Sequence, residues 1–386
     1  MRIAHVITRM IVGGAQENTL LCCLELIERY EDDVLLITGP ALGPEGDLLQ
    51  QSRAVGLPVH MIPQLRRSIH PWRDWVSYRA IKKKLREFQP DVVHTHSAKG
   101  GILGRRAAHA LNVPAIIHTV HGAPFHPYQN SIARNLFRWC EQRAARQCHR
   151  LVSVADAMTD LLVESGVADR NHFQTIYSGM DVEPFLNADD TRGEVRERLG
   201  FKAEHIVIGK IARLFHLKGH EYVVEAMAEV IKQVPEVRVL FVGDGIRTDE
   251  IQSMIADRGL SDHFCFTGLV PPAEIPSLIG AMDVLVHASL REGLARALPQ
   301  ALIAGKPVVS FDIDGAREVV KNDQTGFLVE PKDVAGLANA LLKLVQDGEL
   351  RQRLGEQGRG ENRVRFQHQE MTRQLRELYE ALMTVR

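Results

Sequence analysis

Cysteine is scarce in this chain. There are five, Cys22, Cys23, Cys140, Cys148 and Cys265, an odd number with no C-x-x-C spacing. Neither a disulfide framework nor a structural zinc site organises such a sequence. Long apolar runs are also missing. Nowhere do about 18 apolar residues follow one another, the length a membrane-spanning helix needs. The opening residues, Met1 to Thr8, run straight into a short apolar segment. They lack the longer apolar region and small-residue cleavage site of a secretion signal, so a cytoplasmic protein is expected. Net charge is −1, and the global balance selects no class of partner. No period of 20–50 residues recurs, which sets aside a solenoid.

What is present is a long alternation. At 386 residues the chain exceeds one ordinary core and fits two domains. Its 45% hydrophobic and 25% charged content is that of a folded globular protein. Strands are predicted at Ile3–Ile7, Val34–Thr38, Val92–His94, Ala115–Thr119, Leu151–Val154 and Phe173–Ile176. Amphipathic stretches lie between them. In Trp72–Phe88, the residues Trp72, Trp75, Tyr78, Ile81, Leu85 and Phe88 recur at helical spacing. Arg79, Lys82, Lys83 and Arg86 fall mostly on other faces. A polar interval, Asn187–Arg198, shows no clear apolar period. The alternation restarts with Ile206–Ile211, Val237–Val242, Phe264–Thr267, Val284–His287, Val308–Phe311 and Phe327–Val329. Such a pattern predicts two doubly wound α/β units in tandem, parallel sheets with helices on both faces, over residues 1–185 and 186–365. Residues 366–386 hold a last helix, rich in Glu, Arg and Leu, that could pack back on the first domain.

Ligands of open α/β sheets bind at the C-terminal strand ends. The first such loop carries Gly13-Gly14-Ala15-Gln16. Glycine lets backbone approach a ligand, and a helix start offers N–H groups to an anion; a plain tight turn is the competing reading. A nicotinamide site would need G-x-G-x-x-G and an acidic residue ending the second strand. Neither is there, since that strand ends Leu36-Ile37-Thr38-Gly39. In the second domain Arg213 follows a strand and Lys218 precedes a helix. Together they could neutralise a diphosphate, although a strand-end Arg is commonly a surface residue. Glu292 precedes the next probable helix and Gln300 lies in its second turn, so both could face one cleft; a capped core helix explains them equally. His94, His96 and His121 sit at strand ends, where imidazole can bind metal or serve as a hydrogen-bond donor, and a lone strand-end His is commonly structural.

In their order these segments resemble the retaining family-4 glycosyltransferases of GT-B architecture, with two Rossmann-like domains facing a central cleft. The order is the di-glycine turn, Arg213/Lys218, Gly243-Asp244-Gly245, Phe266-Thr267-Gly268 and the Glu292 loop. Gly305-Lys306-Pro307-Val308-Val309 and Gly326-Phe327-Leu328-Val329 follow. The stretch from His94 through Gly104, with Thr119–Gly122, is similar to members that build bacterial surface polysaccharide. The resemblance implies transfer, with retention, from a nucleotide-diphosphate sugar, a UDP-sugar by default. The acceptor would be a hydroxyl of a glycan or lipid-linked intermediate. It also implies catalytic roles for Glu292 and His121. Donor binding would fall to Gly13, Gly14, Arg213, Lys218, Gly293, Leu294, Ala295 and Gln300, with no metal and no cofactor. Asp312-Ile313-Asp314 has the D-x-D form of a metal site in another fold and is read as structural here. Two departures stand out: Gln300 where the family usually has a second Glu, and Ser178 where many relatives have Asn. A GT-B nucleotide-sugar epimerase and a non-catalytic nucleotide-sugar-binding protein are the alternatives.

One regional imbalance remains. Residues 51–150 hold 17 Lys and Arg against four acidic residues, a local charge of +13, interspersed with Trp72, Trp75 and Trp139. Arg66, Arg67, Arg73, Lys82, Lys83, Lys84, Arg105, Arg106, Arg134 and Arg138 belong to this set. It suggests docking on an anionic membrane as a peripheral protein; no nucleic-acid-binding motif accompanies it.

Overall fold

The computed structural model describes residues 1–43, 46–50, 56–126 and 129–384. It divides into two compact units, Met1–Met180 with Phe366–Arg386, and Asp181–Arg365. In the first, β1 (Arg2–Arg9) is followed by α1 (Gly14–Tyr30), β2 (Asp33–Gly39), β3 (Val59–Met61), α2 (Pro71–Phe88), β4 (Val92–His96) and α3 (Ala98–His109). Then come β5 (Ala115–Val120), α4 (Ser131–Ala145), β6 (Arg150–Ser153), α5 (Asp156–Glu164) and β7 (Phe173–Thr175). All pairings are parallel, in the order β3-β2-β1-β4-β5-β6-β7. Residues 3–8 of β1 are all buried. That is why it reads as a near-continuous run rather than an alternation: helices cover both faces.

α3 lies unusually close to this sheet. A Cβ at Gly100 would stand 2.8 Å from Thr8 N, one at Gly101 2.4 Å from His118 Cε1, and one at Gly104 2.8 Å from Thr95 Cγ2. The three glycines make the approach possible.

The second unit carries α6 (Glu183–Leu186), α7 (Arg192–Arg198), β8 (Ile206–Ile211), α8 (His220–Gln233), β9 (Val237–Val242), α9 (Thr248–Ala256) and β10 (Phe264–Phe266). After these come α10 (Ile275–Ala281), β11 (Val284–His287), α11 (Ala297–Ile303), β12 (Val308–Phe311), β13 (Gly326–Val329), α12 (Val334–Gln346) and α13 (Gly348–Asn362). Its sheet is also parallel, ordered β10-β9-β8-β11-β12-β13. Val223, Met227, Phe241, Val286, Phe311 and Leu341 belong to its core. In both sheets the chain order reverses beside the first strand, at β1/β4 and at β8/β11. Such switch points are where open α/β sheets open a ligand crevice.

The last helix, α14 (His368–Thr384), belongs to the first unit. Met371, Leu375, Leu378 and Tyr379 join the core that holds Ile3, Leu20, Cys23 and Leu26. Arg376 reaches Asp32 at 2.8 Å, an aspartate that also receives the N-terminal ammonium at 2.5 Å.

Three features of the structure go beyond the sequence expectations. β3 is an additional strand, a three-residue edge whose outer residues are exposed. The polar interval Asn187–Arg198 holds α7 in its second half, which buries Val195 and Arg196. Arg192 donates to Asp283 at 2.6 Å and Arg196 lies 3.4 Å from the same carboxylate, so ion pairs replace the missing apolar stripe. On α2 the buried residues are Ser77, Ile81 and Leu85, while Trp72 and Trp75 are exposed.

Candidate active site

In the second unit the loops after β8 and β11 meet. Gly219 has φ 69 and lies so close to the end of β11 that a Cβ would stand 1.8 Å from Ala288 O; only glycine fits. Leu290 N donates to Leu217 O at 2.8 Å. This fastening puts Lys218 against Glu292, with Nζ 2.5 Å from Oε1 and each side chain 22% exposed. The Glu292 loop is held from behind by Asp314, whose Oδ2 accepts from Glu292 N at 2.6 Å, and Gly315 N donates to Gly293 O at 3.2 Å. Burial raises the Asp314 carboxyl above its ordinary range, against the bond from Glu292 N–H. Asp312 is taken up by Arg317 at 3.0 Å through both guanidinium arms. Both aspartates of the D-x-D sequence thus serve the protein's own loops.

Arg213 is exposed, its guanidinium 4.9 Å above the Phe215 ring. Its loop is laced to Gly243-Asp244-Gly245: Leu214 N donates to Asp244 O and Arg247 N to Leu214 O, both at 3.0 Å. Gly243 N in turn donates to Gly268 O at 3.1 Å. The short glycine motifs therefore join three strand-end loops into one rim. Gln300 is half-buried in the second turn of α11, and Gly293, Leu294 and Ala295 lead into that helix. The structure brings Lys218, Glu292 and Gly293 together and places Arg213 on the adjoining rim.

Beneath this rim lie groups that sequence reading missed. Lys210, in β8, is completely buried, and no described residue partners its Nζ. Burial, then the Lys218 charge, draws its ammonium down to about 7, against the pull of Glu292 and Glu221. His287, also buried, lies 3.8 Å from Glu292 through Nε2, and burial holds it neutral. A buried lysine inside an apolar strand pattern gives no local signal, because its neighbours are ordinary core residues.

In the first unit Gly13 caps α1 and Gly14 is its first residue. A Cβ at Gly13 would meet only the far end of the Gln16 side chain, at 2.8 Å, so the protein's own backbone packing does not demand glycine there. Thr8 Oγ1 stands 2.7 Å from Ser97 Oγ and accepts from Gly100 N at 2.9 Å, joining the β1 and β4 ends. A cavity of about 100 Å³ is lined by Ala15, Ser97, Ala98, His121, Gly122 and Pro124 among others. It brings the α1 start and His121 to one place.

The histidines are not isolated. His96 Nδ1 lies 3.1 Å from His121 Nε2, and His96 Nε2 lies 3.1 Å from His5 Nδ1. His94 is engaged at both nitrogens, by Tyr379 OH at 2.5 Å and Thr119 Oγ1 at 2.7 Å. His5, His94 and His96 have ring nitrogens within 4.8 Å of one another, close enough for a metal ion. With both His94 nitrogens engaged, an ion would have to break one of these bonds. Burial pushes His5 down to about 3 and His94 and His96 well below the ordinary value, so all three are neutral. The sequence singles out only His94, His96 and His121, one at a time. The signal for the cluster is non-local, since β1, β4 and β5 must first pair.

Ser178, a departure in the sequence, has a role: its Oγ accepts from Asn18 Nδ2 at 2.8 Å, tying α1 to the chain after β7.

Residues 13–179 match the glycosyl transferase 4-like domain and residues 191–361 match glycosyl transferases group 1. A relative from Escherichia coli, UDP-Gal:alpha-D-GlcNAc-diphosphoundecaprenol alpha-1,3-galactosyltransferase, is 31% identical over 90% of this chain and 88% of its own. The putative glycosyltransferase EpsD of Bacillus subtilis is 28% identical over 83% and 84%. Among solved structures, Anabaena HepE in complex with UDP is similar over 99% of this chain and all of that one, with TM-score 0.82 and 22% identity. That likeness agrees with a GT-B fold built from two parallel-sheet units. The chain is a glycosyltransferase, and it belongs to the family that joins a 4-like first domain to a group 1 second domain.

Proposed function

We propose that the chain transfers a sugar from a UDP-sugar, with retention of anomeric configuration, to a hydroxyl of a lipid-linked glycan intermediate in surface-polysaccharide assembly. The observation that carries this reading is the Lys218–Glu292 pair, locked by Asp314 on the rim it shares with Arg213. In the reading, Lys218 and Arg213 neutralise the diphosphate with help from the N–H groups of Gly14, Leu294 and Ala295. Gly13 and Gly293 supply close backbone approach. Glu292 binds sugar hydroxyls and stabilises positive charge developing at the anomeric carbon. Gln300 contacts the ribose diol, offering one acceptor and one donor where a carboxylate would offer two acceptors. His121 meets the transferred sugar, and the leaving diphosphate accepts the proton of the acceptor hydroxyl. The cationic side chains supply the charge stabilisation, so the reading requires no metal. The choice of UDP and of a lipid-linked acceptor follows what the Escherichia coli relative's name says of that protein.

The acceptor side of the reading includes a membrane surface. No helix among the described residues is long and apolar enough to cross a membrane. On α4, Ile132, Leu136 and Trp139 recur at i, i+4 and i+7 and are all more than half exposed. On α2, exposed Trp72 and Trp75 stack at 5.2 Å, and Arg79 lies 5.1 Å over Trp75. Exposed Arg66, Arg67, Arg79, Lys83, Arg86, Arg106 and Arg138 accompany them. Arg105 must be removed from the expected surface set: it is fully buried and paired with Glu141 at 3.0 Å. Each cation near an anionic leaflet contributes about 1 kcal/mol, so four or five suffice for reversible docking.

Two experiments test this. A panel of nucleotide-sugars is assayed for nucleotide release: UDP-sugars should be used, and Arg213→Ala and Lys218→Ala should each lose roughly tenfold to a hundredfold, the worth of a charge-assisted hydrogen bond. Folded variants with wild-type turnover would refute the site. In vesicle co-sedimentation, anionic but not neutral vesicles should bind, less so after Trp72→Ser/Trp75→Ser. Equal recovery in the supernatant would leave a soluble acceptor.

A further inference from the structure

The imidazoles behind His121 form a one-way chain. His121 Nε2 faces His96 Nδ1, His96 Nε2 faces His5 Nδ1, and each step is 3.1 Å. The chain ends at His5 Nε2, which is buried and has no partner among the described residues. His5 and His96 are 0% exposed. The charges that act on His96 come from His94, His5, His121 and His118, and each disfavours a proton, as burial does more strongly. Arg105, whose charge reaches His118, is spent on Glu141.

Neutral imidazole carries one N–H and one lone pair, so the chain has two self-consistent proton patterns. In the first, His5 carries its proton on Nε2. That N–H is then buried with no described residue to receive it, and orphaned buried donors are the rarer and costlier defect. In the second, His5 Nδ1–H donates to His96 Nε2 and His96 Nδ1–H donates to His121 Nε2. His5 then buries only a lone pair, and His121 is left with its proton on Nδ1. The second pattern wins. His94 braces it from the side, its ring 4.2 Å from that of His96 and its Nδ1 bonded to Tyr379 on α14.

We propose that His5 and His96 are positioning residues that fix His121 in the Nδ1–H tautomer, so that His121 presents a hydrogen-bond donor, not an acceptor, to a sugar hydroxyl oxygen. The tautomer rests on the relay through His96 and His5; its use rests on the reading that His121 meets the transferred sugar. The arrangement accounts for a fully buried histidine in β1, an interior strand of the first sheet, where an aliphatic residue would pack as well.

The test is tautomer-sensitive NMR on the full chain labelled with ¹⁵N-histidine, with His121 assigned from the signals lost in His121→Gln. Long-range ¹H–¹⁵N correlations distinguish the protonated from the lone-pair nitrogen. Wild-type His121 should carry its proton on Nδ1. His5→Val removes the donor at the head of the chain and should mix or reverse the tautomer, with turnover falling about tenfold, the worth of one neutral hydrogen bond. His5→Asn sets an amide N–H near the Nδ1 position and should restore both. Wild-type His121 protonated on Nε2 overturns the proposal even if no variant folds. So does a tautomer indifferent to His5→Val, or one equivalent of zinc held by the cluster. A tautomer that shifts while turnover stays unchanged supports the relay and instead overturns the contact of His121 with the sugar.

Discussion

Replacing Glu292 by glutamine keeps the shape of the side chain and removes its charge. In the unliganded protein that charge is engaged by Lys218 at 2.5 Å, with each partner 22% exposed. A hydrogen bond between charged groups nets about 1.5–3 kcal/mol, and partial solvent access places this pair toward the lower end. An arriving diphosphate must draw Lys218 away from that partner. The neutral amide of the Glu292→Gln variant would compete less, so UDP affinity should hold or improve by up to about tenfold, which corresponds to about 1.4 kcal/mol. Turnover should move the other way. Losing one preorganised group aimed at transition-state charge costs about 10²–10³ in kcat. UDP release under saturating donor gives the turnover and calorimetric titration of UDP gives the affinity. The reasoning fails if Glu292→Gln turns over normally, or if UDP affinity falls in step with turnover.

Asp314 adopts φ 45 and accepts from Glu292 N. Asparagine tolerates that backbone and keeps the acceptor, so Asp314→Asn should stay near wild-type. Asp314→Ala loses the bond, strains the backbone by roughly 1–2 kcal/mol, and should lose both activity and melting temperature. Equal damage from both variants, relieved by added magnesium, would instead mark a metal ligand. Lys210 has a folded pKa of about 7, below its unfolded value near 10.4, so between those pH values the unfolded chain binds more protons. Its contribution makes stability rise with pH across that window, with a total on the order of 5 kcal/mol. Denaturant unfolding from pH 7 to 9 should show this slope in wild-type and a smaller one in Lys210→Met, which should also be the more stable protein at pH 7. Identical slopes would mean that Lys210 finds a partner when folded.

Much of the fold could be read from the sequence because strands buried on both faces announce themselves as short apolar runs. β1 and β8 are of this kind. β3 could not be read, being an edge strand of three residues with little to bury. Nor could α7, because ion pairs to Asp283 do the work that an apolar stripe does elsewhere. The α2 tryptophans show a further limit: helical spacing groups Trp72, Trp75 and Ile81, but it does not say which side meets the sheet. Lys218 and Glu292 were legible as separate motifs, and their pairing depends on the loop packing around Gly219. The His5–His96–His121 chain and Lys210 were illegible for one reason. Their meaning lies in neighbours 25 to 91 residues away in the histidines, and in strand burial for the lysine.

The most direct test of the central reading is the anomeric configuration of the product. A UDP-sugar of α configuration and an acceptor bearing a lipid-diphosphate-linked sugar would be incubated with enzyme stripped of divalent ions and held in EDTA. The new linkage is then read from the anomeric proton coupling by NMR. An α-linked product formed under these conditions is the predicted result. A β-linked product would contradict retention, and transfer only after magnesium or manganese is restored would contradict a charge stabilisation built from Arg213, Lys218 and backbone N–H groups alone.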